Sequence, residues 1–324
     1  MKMKVVAVWL ALTSAAARFA DYRPDRDGAQ TAIRLGVVDT DGVAVPDAEV
    51  RFVVFTTFEK YYTVDRRTDA DGVCEMAGTT RGEVVAKVRK DGYYPSRREL
   101  KYRDLDWGTS VAEHKWTRGV IENQVILKPV LNPRRQIFNG MILRRPPATN
   151  KMLPFDAFSF DWCPPYGKGK VKDFEIGCFV STNAESRVQR GVRIRADNCV
   201  DGFSLRKVDD WCALRYALRA DENADYAHDM DFGWVPDATG ALHKGQEFAS
   251  GQYLIFRIRS ETNTVGKIIR AHYGIIGERL DFQQGLSLGV QVNPVNNDTS
   301  LEHNWAYRNM MRERGKETRR QPVD

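Results

Sequence analysis

Apolar and polar residues alternate along two stretches in the first third of the chain. Every second residue is apolar from Ile33 to Val37 and again from Val50 to Val54, and a connection rich in Gly, Pro and Asp separates them. Alternation with a period of two is typical of half-buried strands, and turn residues between two such runs indicate neighbouring strands. The pattern therefore predicts a β-sheet in this part of the chain.

Three short motifs in the same region predict turns: Asp39-Thr-Asp-Gly42, Asp69-Ala-Asp-Gly72 and Lys90-Asp-Gly92. Gly adopts positive φ without steric cost, and an Asp side chain bonds its own backbone at such corners. The first two are similar to fragments of calcium loops, but the residues at the outer ligand positions of that template carry no carboxylate. We therefore expect turns at these places and no calcium site.

Four segments within residues 31–129 follow one another in a distinctive order: Gly36-Val-Val-Asp-Thr-Asp-Gly42, Val45-Pro-Asp-Ala-Glu-Val50, Thr68-Asp-Ala-Asp-Gly72 and Lys90-Asp-Gly-Tyr93. Together they resemble the carboxypeptidase regulatory-like module. The resemblance implies a small β-sandwich with a transthyretin-like or immunoglobulin-like arrangement of strands. It also implies a scaffold or adaptor that has no chemistry of its own.

The pattern of residues 151–305 predicts a second and larger all-β domain. We expect a β-sandwich, and a jelly roll is one possible arrangement of its strands. Apolar residues alternate from Tyr253 to Arg259 and, most regularly, from Leu286 to Val292. The segment from Asp210 to Arg219 fits helical and strand spacing equally well.

Several motifs of this second region carry a further resemblance. They are Asp161-Trp162, Pro165-Tyr-Gly-Lys-Gly169, Asp173, Tyr273-Gly274, Asn293-Pro294, Asn296-Asn297 and Leu301-Glu302. Together they are similar to uncharacterised exported bacterial proteins in which a regulatory-like module precedes an aromatic, Gly-rich β domain. That group implies an architecture and no activity.

The amino terminus has the three parts of a secretory signal peptide. A positive segment, Met1-Lys-Met-Lys4, precedes an apolar run from Val5 to Ala17 that ends in small residues. We therefore expect residues 1–17 to direct export to the periplasm, the cell surface or the exterior and to be removed. A retained membrane anchor is the alternative. No other apolar run is long enough for a stable membrane span in the mature chain.

Composition indicates the segments that lie outside the two domains and argues against one class of partner. We expect an amino-terminal arm at residues 18–30, a Pro-rich linker at 130–150 and a charged, frayed tail at 306–324. The chain of 324 residues is 42% hydrophobic, which suits two folded cores. Its net charge is +6, but 49 Lys and Arg residues are interspersed with 43 Asp and Glu residues. This mixture predicts no nucleic-acid partner.

The cysteines bear on disulfide formation. Cys163, Cys178, Cys199 and Cys212 lie in the second half of the chain, and in an exported protein we expect at least one disulfide among them. Four free buried thiols are the alternative. Zinc is disfavoured because the chain has no Cys-x-x-Cys pair. Cys74 occupies an apolar strand position and is expected to be a buried, inert thiol.

The sequence lacks the common catalytic motifs. It has no Gly-x-Ser-x-Gly motif and no zinc-binding His-x-x-Glu motif. The segment nearest to the second motif is His228-x-x-Asp231. A metallocarboxypeptidase is therefore excluded, and no metal or cofactor is expected. Glycoside cleavage needs two carboxylates about 5 to 9 Å apart, and Asp161, Asp173, Asp229 and Asp231 leave that possibility open.

One aromatic and polar constellation is the candidate ligand site. Trp162 and Tyr166 flank two prolines, and Asp161, Lys168 and Asp173 are near them in sequence. Aromatic rings beside hydrogen-bonding groups suit the apolar face of a sugar or a peptide side chain. The alternative is that Trp162 belongs to the core and that the segment is only a rigid turn.

These observations favour an exported, non-enzymatic binding or scaffolding protein of the bacterial envelope or exterior. Its expected partner is a glycan or an envelope or extracellular protein. Two alternatives stay open at this point: a carbohydrate-active hydrolase that uses carboxylates of the second domain, and a purely structural envelope protein.

Overall fold

The structure is a computed structural model, and most of the chain can be described from it. The described residues are 28–56, 60–101, 111–112, 115–183, 185–208, 211–212, 214–249, 251–282 and 286–318. The predicted signal peptide and residues 18–27 of the predicted arm lie outside them. Strands make up 57% of the structure and helix 4%, so the all-β prediction is confirmed.

Twenty-one strands and one helix are described. They are β1 (Ala29–Asp39), β2 (Glu49–Phe55), β3 (Tyr61–Arg67), β4 (Val73–Thr80), β5 (Glu83–Arg89), β6 (Tyr93–Tyr94), β7 (Ser96–Lys101), β8 (Val111–Ala112), β9 (Lys115–Pro129), β10 (Ile137–Arg144), β11 (Met152–Asp156), β12 (Asp161–Trp162), β13 (Phe174–Thr182), β14 (Val188–Ala196), β15 (Gly202–Lys207), β16 (Trp211–Cys212), β17 (Asp229–Pro236), β18 (Leu242–Lys244), β19 (Gln252–Thr262), β20 (Ile268–Asp281), β21 (Leu286–Val292) and α1 (Asn304–Thr318).

The first compact unit comprises Met1–Pro129 together with Asp210–Ala213. One of its sheets has the order β4-β1-β9-β6, with β8 beside β9, and the other has the order β16-β7-β5-β2-β3. Most neighbours are antiparallel, but β1 and β9 run parallel. The predicted alternation is confirmed, because Leu35 on β1 and Phe52 on β2 are fully buried in a common core.

Five turns in the described part of the chain share one geometry. In each, an Asp or Asn side chain accepts hydrogen bonds from the backbone N–H groups two and four residues later. The residue three positions after it has positive φ and is Gly in four turns and Ser186 in the fifth. The two predicted Asp-x-Asp-Gly turns are confirmed. The capping residues are Asp39, Asp69, Asn183, Asp237 and Asn263.

The second compact unit comprises Val130–Asp209 and Leu214–Asp324. Its sheets have the orders β10-β21-β20-β19-β15 and β12-β11-β13-β14-β17-β18. Aromatic rings fill much of its largest core. Phe155 stacks on Phe174 with ring centroids 5.5 Å apart, and Phe174 meets Phe203 edge to face at 5.6 Å. Such pairs stabilise a core beyond the area they bury.

Two segments differ from the expectations, and the structure decides a third that the spacing left open. The predicted linker at residues 130–150 contains β10, which pairs with β21 and so belongs to the second unit's sheet. The segment from Asp210 to Arg219 contains the short strand β16 and no helix in its described residues. The predicted frayed tail forms α1 as far as Thr318.

The cysteines differ from the expectation as well, because all five are free. Cys178 lies on β13 inside the aromatic core, whereas Cys199 is exposed in the loop after β14. Cys212 belongs to the first unit, where its thiol contacts the carbonyl oxygen of Tyr94 at 3.8 Å. The prediction of a disulfide is therefore wrong for this structure, because the fold places these thiols in separate environments.

Within the described residues, no helix is both long enough and apolar enough to cross a bilayer.

Candidate functional site

The candidate site lies in the segment 156–173, which a buried group of charges holds in place. Asp156 and Asp173 are only 3% and 2% exposed. Arg259 on β19 donates from Nε to Asp173 at 2.6 Å and from Nη2 to Asp173 at 3.1 Å and to Asp156 at 3.3 Å. One guanidinium therefore ties both ends of the segment through charge-assisted hydrogen bonds.

Arg259 reaches this segment because β19 is irregular at that position. Its φ is 53°, and the register with β20 shifts between Ile258 and Glu261. Arg257, two residues earlier, instead donates to the carbonyl oxygens of Val200 and Glu222. A bulge interrupts the alternation of a strand and redirects a side chain, so Arg259 does not follow Arg257.

The two buried carboxyl groups have opposite pKa shifts. Burial raises the pKa of Asp173, and the hydrogen bonds from Arg259 oppose that rise. Burial also acts to raise the pKa of Asp156, but backbone N–H groups, among them those of Lys170 and Ser159, outweigh it and hold the pKa below its usual value. Asp156 is therefore an anionic anchor for backbone amides, and neither carboxylate is open to a ligand.

Asp161 organises the turn that carries Lys168. One of its carboxylate oxygens accepts from the N–H of Trp162 at 2.9 Å, and the other accepts from the N–H of Lys168 at 3.2 Å. Gly167 and Gly169 pack directly on the backbone of residues 161–162, where a Cβ atom on either would collide. The Gly-Lys-Gly sequence is thus explained by close backbone approach. The Lys168 side chain is exposed.

The structure separates the two candidate aromatic residues. Trp162 is 4% exposed and meets Phe155 edge to face at 5.3 Å, so its ring belongs to the core and is not available to a ligand. Tyr166 packs against the same core but is only half-buried. Its hydroxyl accepts a hydrogen bond from Lys151 Nζ at 2.8 Å. Of the two candidate aromatic residues, Tyr166 is therefore the accessible one.

The predicted site is therefore divided into an inner and an outer part. Trp162 and Asp173 are inside, whereas Tyr166 and Lys168 lie at the surface on the turn that Asp161 holds. Two residues of the site, Lys151 and Arg259, were not predicted from the sequence. No sequence signal pointed to them, because Arg259 lies 86 positions from Asp173 and is redirected by a bulge.

The other carboxylates named from the sequence lie on β17. Asp229 and Asp231 face Arg195 and Arg193 on β14, respectively. The His228-x-x-Asp231 pair does not form. His228 contacts Asp229, and Asp231 is contacted by His243. Within the described residues, no group of three or more His, Cys, Asp and Glu side chains is arranged to hold a metal ion.

Comparisons with known proteins do not assign the chain to a family. No protein-family model matches it. No curated protein matches it either. The carboxypeptidase regulatory-like resemblance is therefore not confirmed.

The chain has weak likenesses to solved structures of bacterial proteins. For 3-chlorocatechol 1,2-dioxygenase from Rhodococcus opacus 1CP, identity is 15% and the TM-score 0.27, and the match covers 33% of this chain and 63% of that one. The chain thus spans less than two thirds of that enzyme's length. For BcpA, the major pilin subunit of Bacillus cereus, the identity is 12% and the TM-score 0.23, with coverage of 82% and 96%.

A DUF3823 family protein from Bacteroides uniformis ATCC 8492 is a further likeness. Identity is 10% and the TM-score 0.19, and the match covers 82% of this chain and 98% of that one. None of these likenesses is strong enough to transfer a function to this chain.

Proposed function

We propose that the chain is an exported, non-enzymatic binding or scaffolding protein of the bacterial envelope or exterior, with a glycan or a protein as its ligand. The amino-terminal sequence pattern supports export. The observation that carries the binding proposal is Tyr166, a half-buried aromatic residue on a loop that is fixed by buried charges. A fixed loop loses little conformational entropy when it binds a ligand.

The contact between Lys151 and Tyr166 suits a binding surface. The ammonium lies 2.8 Å from the hydroxyl oxygen but 5.4 Å from the ring centroid. It therefore sits beyond the hydroxyl and does not cover a face of the ring. The exposed part of the ring stays open to stacking by an apolar sugar face or a peptide side chain, and Lys168 adds a donor on the same turn.

Two of the four candidate carboxylates, Asp173 and Asp229, do not fit the hydrolase alternative. A general acid needs a raised pKa and access to its substrate. Burial acts to raise the pKa of Asp229, but hydrogen bonds from His228 and Arg195 outweigh it and lower the pKa overall. Asp173 has the raised pKa, but its side chain is completely buried against Arg259. Neither group meets both requirements.

The test is retention of the mature protein on immobilised polysaccharides and on cell-wall fragments. We expect Tyr166→Ala to weaken retention about tenfold, whereas Tyr166→Phe, which keeps the ring, should retain most of it. Tyr61→Ala is the matched control, because Tyr61 is 64% exposed in the first unit. Unchanged retention of Tyr166→Ala would contradict this site. If the unmodified protein is not retained on any material, a protein partner or the purely structural alternative is favoured.

A further inference from the structure

Two similar charge clusters cross strands β14 and β17. In the outer cluster, Arg195 Nε donates to one Asp229 oxygen at 2.6 Å, and His228 Nδ1 lies 2.9 Å from the other. In the inner cluster, Arg193 donates to both oxygens of Asp231 at 2.6 and 2.8 Å. His243 Nε2 lies 2.9 Å from Asp231, so each carboxylate has one arginine and one histidine partner.

The two clusters differ in how far their hydrogen-bonding groups are used. The Arg193 and Asp231 side chains are 17% and 20% exposed, and their mutual contacts use two nitrogens and both oxygens. The Arg195 and Asp229 side chains are 41% and 44% exposed, and within the described residues Arg195 donates from Nε alone. The groups of the inner cluster are mostly buried and bind one another. The outer cluster keeps unused donors and acceptors at the surface.

The outer cluster offers both kinds of hydrogen-bonding group side by side. The terminal nitrogens of Arg195 carry N–H donors, each Asp229 oxygen keeps a lone pair, and His228 Nε2 is a further partner. All these side chains are already oriented by one another. A ligand that both donates and accepts within a small area would satisfy them, and vicinal hydroxyl groups of a sugar do so.

We infer that the outer cluster of Arg195, Asp229 and His228 binds a neutral glycan through vicinal hydroxyl groups, at a site separate from the Tyr166 loop. The clusters are two residues apart along each strand, a distance of about 7 Å. This spacing is on the scale of one sugar unit, so an oligosaccharide that contacts Asp229 also reaches His243 at the inner cluster.

Charge favours a neutral glycan over an acidic one. Two arginines and two aspartates alternate on this part of the sheet, so their formal charges cancel. The Asp229 carboxylate stays ionised at neutral pH, because its partners lower its pKa. A uronate that approached Arg195 would therefore meet the like charge of Asp229. A hydroxyl group donates to the same carboxylate and is attracted to it.

Affinity electrophoresis of the mature protein in gels containing xylan, mannan or β-glucan tests this inference, with alginate and pectate as acidic comparisons. We expect retardation in at least one neutral glycan and a tenfold or larger loss of affinity in Asp229→Asn and Arg195→Gln. The matched control is Asp65→Asn. Arg51 and Asp65 form the same cross-strand pair in the first unit at 2.7 Å, with side chains 59% and 63% exposed.

Four results would overturn the inference: no retardation in any of the gels, undiminished retardation of Asp229→Asn and Arg195→Gln, an equal loss in Asp65→Asn, or retardation by the acidic polymers alone. Melting temperatures of all variants exclude loss by unfolding. Tyr166→Ala run in the same gels separates the two proposals. If only Tyr166→Ala loses binding, the Tyr166 site stands and the Asp229 site fails; if only Asp229→Asn loses binding, the reverse holds.

Discussion

Arg259 forms a bidentate ion pair with Asp173, and the two residues are 86 positions apart in the sequence. The same guanidinium also reaches Asp156, so removal of the arginine leaves two buried carboxylates without their counter-ion. Loss of one partner of a buried ion pair is much more costly than loss of an exposed pair. The pair therefore fixes the loop that carries Tyr166.

We predict that Arg259→Met lowers the free energy of unfolding by about 3 kcal/mol at pH 7. Methionine fills similar space and, like arginine, has a Cβ atom, so the positive φ at this position costs the same in both proteins. Urea denaturation measures the change. Arg51→Met is the control, because Arg51 and Asp65 are both more than half exposed, and we expect a change below about 1 kcal/mol.

The same variant has a characteristic dependence on pH. Burial already raises the pKa of Asp173, and loss of Arg259 raises it further. The folded variant then binds more protons than the unfolded chain above the ordinary pKa of about 4. Its stability therefore rises as the pH falls from 7 through the raised pKa, and the difference from the unmodified protein shrinks. A difference that is constant between pH 7 and pH 5 would contradict this explanation.

A second prediction separates Trp162 from Tyr166. Trp162 is packed in the core against Phe155, so Trp162→Ala should lower the free energy of unfolding by about 4 kcal/mol. Tyr166 is half-buried, and Tyr166→Ala should cost about 1 kcal/mol. Thermal unfolding of the two single variants tests this. Equal costs would mean that Tyr166 is also a core residue and would weaken its proposed role in binding.

Local patterns in the sequence predicted several of the strands, among them β1, β2, β19 and β21, and two of the five capped turns. The alternation from Ile33 to Val37 depends only on neighbouring residues and on one buried face, so the sequence was sufficient. The turn at Asn183 has Ser186 where the other four have Gly, and the Gly-containing turns at Asp237 and Asn263 were not predicted either.

The candidate site was less predictable, because it depends on contacts between distant residues. Trp162 and Tyr166 share a sequence context but differ in exposure, since the pairing of β11 with β12 places the Trp162 ring on Phe155. The contact between Lys151 and Tyr166 and the cluster around Asp229 likewise arise only when strands are brought together. No periodic pattern in a single strand encodes them.

The free thiols give a third prediction. Cys199 is exposed, whereas burial raises the pKa of Cys74 to about 11 and also raises the pKa of Cys163. A thiol reacts with iodoacetamide as the thiolate, so we expect Cys199 alone to be modified rapidly at pH 8 in the folded protein. After denaturation without reductant, mass spectrometry should find five modified cysteines. Fewer than five would reveal a disulfide that the structure lacks.

Gly42 and Gly72 give the last prediction, because they occupy the same position in two equivalent turns. Their φ values are 78° and 72°, so Ala at either position costs about 1 kcal/mol from the backbone alone. Their surroundings differ. A Cβ atom on Gly42 meets nothing within 4 Å, whereas one on Gly72 lies 2.6 Å from the carbonyl oxygen of Val37 and 3.0 Å from the nitrogen of Val45.

The Val37 carbonyl cannot move away cheaply, because it accepts the N–H of Val45, and the Val37 N–H donates to Gly72 itself. We therefore expect Gly42→Ala to cost about 1 kcal/mol and Gly72→Ala about 3 kcal/mol, the difference being the displaced backbone. Urea denaturation of the two variants measures both costs against the same parent. Equal costs would show that the backbone around Gly72 accommodates a Cβ atom without penalty. Positive φ alone would then explain glycine at both positions.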